Sequence, residues 1–306
     1  MKIFITGSSG FIGQHLVPLL RQNHELVELQ SDLRHHADVV RELTDADPDV
    51  IVHLAARTEV EKSFYEQVTF SEINYVGSVN LIDAACQLPN LKNFVFASTM
   101  EVYGWQPISD EVKANGAPRM PVVFDEHTTP NPNAPYAVAK LAVEKYLEYA
   151  HRALSLPFTA IRQTNSYGRS DNDFFVTEQI ITQMLRNPDV VNLGYAEPFR
   201  NFIWIDDLLQ AWLKVIENPN LCNQGKIYTI GPDNPIKISD YANKIAGMLD
   251  WHGQINWNTK PRRPGEIYWL NSGTQAITRD LGWQPQVDMD TGLQRTINIW
   301  RKILNK

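Results

Sequence analysis

Thr6-Gly7-Ser8-Ser9-Gly10-Phe11-Ile12-Gly13 follows the apolar run Lys2–Ile5 and leads into an amphipathic stretch that reads as a helix over Phe11–Gln22. Each glycine at that junction has a task. Gly7 permits a tight turn, Gly10 lets backbone approach a pyrophosphate, and Gly13 allows close packing of helix on strand. The helix start then offers free N–H groups and a partial positive charge to phosphates. Glycines in turns are common, so the triplet draws its weight from its place at the first strand–helix junction. Ser9, Phe11 and Ile12 complete the expected cradle, and the expected ligand is a dinucleotide.

Outward from this turn, short apolar runs alternate with helical stretches, as a parallel α/β sheet requires. Strands are predicted at Lys2–Thr6, Glu25–Leu29, Val50–Leu54, Asn93–Ala97 and Phe158–Arg162. Helices are predicted at Phe11–Gln22, Ala37–Thr44, Phe70–Cys86 and Pro135–Leu154. Right-handed crossovers would wind these into a doubly wound, Rossmann-type sheet. After Gly168 the rhythm changes to shorter segments, with helices expected near Glu178–Arg186, Asp206–Glu217, Ser239–Leu249 and Thr291–Leu304. The expected division is a dinucleotide-binding domain over 1–167, with 202–230 returning to it. A smaller C-terminal substrate-binding lobe would take 168–201 and 231–306.

The 306 residues carry a formal net charge of -7, which argues against a general nucleic-acid binder. Cys86 and Cys222 stand far apart and supply neither a disulfide framework nor a zinc spacing, so no metal is expected. The first residues lack signal-peptide anatomy, and the apolar run stops at glycine. A soluble cytoplasmic protein, away from membranes, is expected.

The second strand should deliver an acid to the adenosine ribose, yet it ends Glu28-Leu29-Gln30. Asp32, followed by Leu33, comes two residues later. It is placed to meet the ribose or the adenine amine, or to act only as a turn residue. Without an acid at the strand tip, a 2′-phosphate is not repelled, and Arg34 or Arg57 would attract it. NAD and NADP both stay open, with NAD preferred. His53-Leu54-Ala55-Ala56 ends the third strand in small residues, which suits either a cofactor lying on the backbone or tight core packing.

Tyr136 and Lys140 are spaced i,i+4 after Pro135, a residue suited to the first turn of a helix, so they share a face. An ammonium beside a phenol favours the phenolate and lowers its pKa from about 10. Such a tyrosinate takes a proton from a substrate hydroxyl as hydride leaves the same carbon. The spacing alone is weak, but the strand Phe94–Ala97 runs straight into Ser98-Thr99-Met100-Glu101. Strand C-termini are where ligands bind in such sheets. Thr99 would hold the oxygen that Tyr136 deprotonates. Glu101 is either a second acid/base or a surface carboxylate at a loop start.

Together these motifs resemble the extended short-chain dehydrogenase/reductase family, in its nucleotide-sugar epimerase/dehydratase branch. The likeness runs through Gly7/Gly10/Gly13, His53–Ala56, Asn74–Leu81, Ser98–Gly104, Tyr136/Lys140, Arg162–Gly168, Arg200–Asp207 and Arg263–Glu266. The resemblance implies an NAD(P)-dependent enzyme acting on a nucleotide-diphosphate sugar, oxidised at C4. It gives Thr99, Tyr136 and Lys140 the roles of catalytic hydroxyl, base and lysine, with Lys140 also on the nicotinamide ribose. Leu54, Ala55 and Ala56 join the cofactor site. Asn165, Arg200 and Arg263 fall at the sugar diphosphate or nucleotide, where an arginine fork suits phosphate oxygens. It also implies a homodimer through the Phe70–Cys86 and Tyr136 helices.

Departures from the family pattern carry information. Met100-Glu101 stands where 4,6-dehydratases often have Asp-Glu; a methionine at the sugar cannot donate a proton, while Glu101 can still act at a neighbouring carbon and is often lacking in simple 4-epimerases. The short span from Leu29 to Asp32 is similar to that of NADPH-dependent 4-keto-sugar reductases. Trp105–Phe124 lengthens the loop before the Tyr/Lys helix and is expected to shape or cover the sugar pocket, or to be a solvated surface loop. A redox-neutral epimerase or dehydratase is the leading reading. The alternatives are an NADPH-dependent 4-keto-6-deoxy-sugar reductase and a non-catalytic dinucleotide-sensing relative.

Overall fold

Successive side chains of a strand point to opposite faces of its sheet, and here both faces are apolar. The first five strands are β1 (Lys2–Thr6), β2 (Glu25–Glu28), β3 (Val50–His53), β4 (Asn93–Thr99) and β5 (Phe158–Gln163). Ile3, Ile5, Val50, Val52, Val95, Ala97 and Ile161 enter one core cluster. The intervening Phe4, Ile51, Phe94, Phe96 and Ala160 enter a second. Strands buried on both sides need helices on both sides. In the computed structural model, which describes residues 1–305, they have them.

One face is covered by α1 (Phe11–Leu20) and the helix Ile205–Glu217. The other is covered by α2 (His36–Ala46) and the helices Gly77–Ala85 and Pro135–Leu154. The sheet has six strands, in the order Gln224–Ile230, β5, β4, β3, β1, β2, and every pairing is parallel. This is the doubly wound sheet expected. The sixth strand was not among those predicted. Its irregular pairing between Gln224 and Lys226, where Gly225 has φ +70°, obscures its pattern.

Two segments differ from expectation. The single helix predicted over Phe70–Cys86 is split by a π-turn at Glu72–Val76, between the helices Gln67–Ser71 and Gly77–Ala85. Buried Asn74 lies in that turn. Its side chain accepts from the Arg57 N–H at 2.8 Å and donates to the Arg57 carbonyl at 2.9 Å, fixing the loop after β3. The Trp105–Phe124 segment is not a structureless loop, because it holds a helix at Pro107–Asn115 that stops at Gly116 (φ +76°). Ile108, Val112 and Phe124 pack with Met100, Tyr103 and Ile267–Leu270 in a third apolar cluster.

Beyond Gly168 the chain forms short two-stranded pairs, Val190–Asn192 with Gln254–Asn256 and Phe199–Arg200 with Ile236–Lys237. With the helices Val176–Arg186 and Ile238–Leu249 they stand over the carboxyl ends of β1, β3, β4 and β5. Among the described residues no helix is long and apolar enough to cross a membrane.

Candidate active site

A cavity of about 910 Å³ opens where the sheet's carboxyl ends meet the later segments. Its floor is the glycine turn. Gly7 holds φ +74°, and a Cβ there would lie 2.5 Å from the Ala55 nitrogen. A Cβ on Gly13 would lie 2.3 Å from the Gly7 carbonyl oxygen. On Gly10 it would meet only that same oxygen, at 3.4 Å. Gly7 and Gly13 therefore serve backbone packing, and Gly10 keeps the approach to α1 open. Gly10 is also the N-cap of α1 with no side-chain cap, so the first N–H groups remain free for an anion. The close approach of Ala55 to Gly7 means the small residues after β3 serve tight packing, while Leu54, Ala55 and Ala56 also line the cavity.

Behind this turn a buried relay sets its geometry. His53 bonds Thr6 Oγ1 through Nδ1 at 2.7 Å and Ser78 Oγ through Nε2 at 2.8 Å, while Thr6 Oγ1 accepts from the Ala55 N–H at 3.2 Å. Burial, with the nearby Lys140 charge, pushes His53 down to about 3 and keeps it neutral.

Ser9, Phe11 and Ile12 line the cavity with the glycines, but Asp32 and Leu33 do not. Leu33 is buried in the second core cluster. Asp32 faces solvent and pairs with Arg34 at 2.6 Å, which holds its carboxyl at about 2. Asp32 also accepts the Arg34 N–H at 2.9 Å, the turn chemistry expected of Ser31–Arg34. The arginines expected to attract a 2′-phosphate are likewise engaged. Arg34 is tied to Asp32, and Arg57 pairs with Glu66 and lies 3.9 Å from Glu59.

Thr99, Tyr136 and Lys140 meet on one wall of the cavity. β4 ends at Thr99, and Pro135 opens the helix that carries the other two. The Thr99 hydroxyl accepts the Glu101 N–H at 3.2 Å and lines the cavity with the Tyr136 phenol. Lys140 Nζ donates to the Ala97 carbonyl at 2.7 Å and sits 4.8 Å from the Phe96 ring centroid. The expected lowering of the phenol is not found. Burial and then the Glu101 carboxylate push Tyr136 up, with the neighbouring Thr99 hydroxyl opposing. Burial pushes Lys140 down to about 7, against the pull of Glu144. With both side chains buried, the cost of charging each outweighs their mutual help.

Glu101 lines the cavity instead of standing at the surface. Burial raises its pKa, while Arg200 and Arg263 pull it back and Glu266 adds to the rise. Asn165, Arg200 and Arg263 line the same end, and Arg200 pairs with Glu266 at 3.2 Å. Met100 does not reach the cavity. The 3₁₀ turn Met100–Tyr103 drives it into the third apolar cluster, where the Thr164 hydroxyl lies 2.8 Å from its sulfur. Sequence reading did not single out Arg169, Tyr195 or Glu266, which also line the cavity. Arg169 directly follows the Arg162–Gly168 motif, and Glu266 closes Arg263–Glu266, so the motif edges were the available signal. Among the described residues no group of three or more His, Cys, Asp or Glu could hold a metal ion.

Comparison with known proteins gives a consistent picture. The family model described as NAD dependent epimerase/dehydratase matches residues 3–231. A dTDP-D-glucose 4,6-dehydratase of Dictyostelium discoideum is 29% identical, covering 98% of this chain and 81% of its own. A putative UDP-glucose 4-epimerase of Methanocaldococcus jannaschii is 26% identical over 99% of each. Among solved structures, a UDP-glucose 4-epimerase of Thermotoga maritima with UDP-glucose superposes with a TM-score of 0.85, at 24% identity over 99% of this chain and 100% of that one. At that identity the superposition speaks for the fold.

Proposed function

Because the chain belongs to the NAD dependent epimerase/dehydratase family, we propose that it oxidises a nucleotide-diphosphate sugar at C4 and acts on the resulting ketone without net redox change. The observation that carries this reading is the convergence of Thr99, Tyr136 and Lys140 on one wall of a cavity whose floor is the glycine turn. The residues present fit the cofactor: the opening above Gly10 leads to the uncapped start of α1, and Phe11 and Ile12 would hold its diphosphate. Lys140 would hold the nicotinamide ribose.

When bound, NAD supplies the hydride acceptor and a positive ring whose field favours the Tyr136 phenolate. Thr99 Oγ1 holds the C4 oxygen, and Tyr136 Oη takes its proton. Lys140 holds the helix of Tyr136 against β4 through Ala97. A ketone at C4 acidifies the hydrogen on C5; the Glu101 carboxylate takes that proton, and solvent water reprotonates the enolate at C5, from the opposite face when the configuration inverts. Asn165, Arg200 and Arg263 bind the sugar diphosphate. Met100, withdrawn into the core, supplies no proton to a leaving hydroxyl, which favours epimerisation over standard dehydration. Arg34 and Arg57 are held by Asp32 and Glu66, and in this reading NAD is the preferred cofactor.

In this reading residues 1–167 and 202–230 form the cofactor-binding domain, and 168–201 with 231–306 the sugar lobe. A homodimer is part of it. Tyr65, Val68, Val76, Val138 and Tyr149 are exposed apolar residues on or beside the two helices that would pair. Free Cys86 and Cys222 suit a cytoplasmic location.

Incubation with UDP-, GDP-, dTDP- and CDP-sugars, read by mass spectrometry, tests the reaction. An unchanged mass with altered sugar configuration supports epimerisation. Loss of water indicates dehydration, and gain of two hydrogens would overturn the redox-neutral reading. Tyr136→Phe should lower kcat by about 10²–10⁴-fold while NAD still binds. Unchanged turnover would exclude the proposed base.

A further inference from the structure

Arg169 is an arginine whose charge is left incompletely answered. Glu178 Oε1 accepts the N–H groups of Gly168 and Arg169, each at 3.0 Å, and so fixes the turn that aims the side chain. The guanidinium carbon lies 4.0 Å from the Phe11 ring centroid and 3.8 Å from that of Phe175, sandwiched between the two. Nη1 donates to the Ser166 carbonyl. The second Glu178 oxygen stands 3.7 Å from Nη1, beyond hydrogen-bond length, and makes no hydrogen bond. Arg169 Nε is also buried without an acceptor. The side chains of Arg169 and Glu178 are only 8% and 0% exposed.

A buried cation paired so loosely is costly, and the cost is offset when a ligand supplies the missing acceptors. The location names that ligand. Arg169 lines the cavity beside Gly10, Phe11 and Ile12, where the free N–H groups of α1 already favour an anion. A guanidinium fork matches the paired oxygens of a diphosphate.

We propose that Arg169 is a second anchor for the dinucleotide diphosphate, closing over it from the side opposite the glycine turn and retaining the cofactor between turnovers. This rests on the reading of the chain as NAD-dependent. Phe11 and Phe175 hold the guanidinium plane in place, and Glu178 orients the loop while competing for the charge.

The test is calorimetric binding of NAD and of ADP-ribose, which shares the diphosphate but lacks nicotinamide, to cofactor-free protein. Arg169→Met and Arg169→Gln should weaken both ligands to a similar degree, by about tenfold to a hundredfold, as loss of a charge-assisted contact predicts. Glu178→Gln keeps an oxygen for the Gly168 and Arg169 N–H groups, removes the competing charge and should tighten binding of both ligands. Equal affinity in the parent and a folded Arg169 variant overturns the proposal. Binding that is not tighter in Glu178→Gln also overturns it, since no freed charge then reaches the diphosphate, and that arm decides if neither Arg169 variant folds. A parent protein that binds no NAD refutes the cofactor reading itself, a different result from NAD binding that ignores Arg169.

Discussion

Lys140 Nζ donates to the Ala97 carbonyl at 2.7 Å, tying the helix of Tyr136 to the strand that ends in Thr99. The bond ties together the elements that carry the phenol and the hydroxyl proposed to meet one substrate oxygen. It also buries an ammonium, and that has a measurable cost.

Lys140 holds its proton up to about 7 in the folded chain and up to 10.5 in the unfolded one. Between those values the unfolded chain binds more protons, so this residue makes stability rise with pH, and below about 7 its penalty is constant. Lys140→Met should therefore be more stable than the parent at pH 6, by about 2–4 kcal/mol after allowing for the lost hydrogen bond. Urea melts at pH 6, 8 and 10 should show the difference shrinking as pH rises. A difference independent of pH would sink the account.

The glycine turn separates packing from ligand approach. Gly13→Ala forces a Cβ to 2.3 Å from a backbone oxygen and should cost about 3 kcal/mol or more, lowering Tm. Gly10→Ala has room and should stay within about 1 kcal/mol of the parent. Its NAD affinity should nevertheless fall at least about tenfold, as measured by calorimetry. Full affinity in Gly10→Ala would show that the phosphates lie elsewhere.

Glu101 acts as a base only when deprotonated, and burial has raised its pKa. Activity should be lost as pH falls through a value above the usual carboxylate range near ~4.3, and Glu101→Gln should abolish that limb. Incorporation of solvent deuterium at C5 should fall about 10²-fold or more in this variant. Cofactor reduction by substrate should persist, since Thr99 and Tyr136 are intact. Loss of both steps together would make Glu101 a structural residue.

Asp32 pairs with Arg34 at 2.6 Å, and in the proposed reading this engages a cation that would otherwise favour a 2′-phosphate. Asp32→Asn releases Arg34 and should shift the NADP-to-NAD affinity ratio toward NADP by about fivefold, in keeping with one exposed ion pair. An unchanged ratio would show that Arg34 lies out of reach of the ribose.

Features governed by local rules could be read from the chain alone. Lys2–Thr6 and Pro135–Leu154 have the predicted bounds because an apolar run into glycine and a proline at the first helical turn are local signals. The π-turn at Glu72–Val76 could not be read, since it is set by Asn74 reaching Arg57, seventeen residues away. Met100 illustrates the same limit. Its place next to Thr99 suggested the sugar, whereas a 3₁₀ turn and an apolar cluster built partly from residues beyond 266 decide where it points. Arg169 escaped notice because its neighbours Phe11 and Phe175 come together only in the folded chain.

The third apolar cluster joins Met100, Tyr103, Ile108, Val112 and Phe124 to Ile267–Leu270, and Trp269 Nε1 donates to the Val122 carbonyl at 2.8 Å. Two stretches of chain some 150 residues apart thus pack on each other behind the segments that bring Glu101, Arg263 and Glu266 to the cavity. A grafted 105–124 segment from a relative would arrive without its matching counterface and leave both halves exposed. Any exchange of this insertion is therefore a paired one, in which it and the stretch after Arg263 change together or the packing between them is lost.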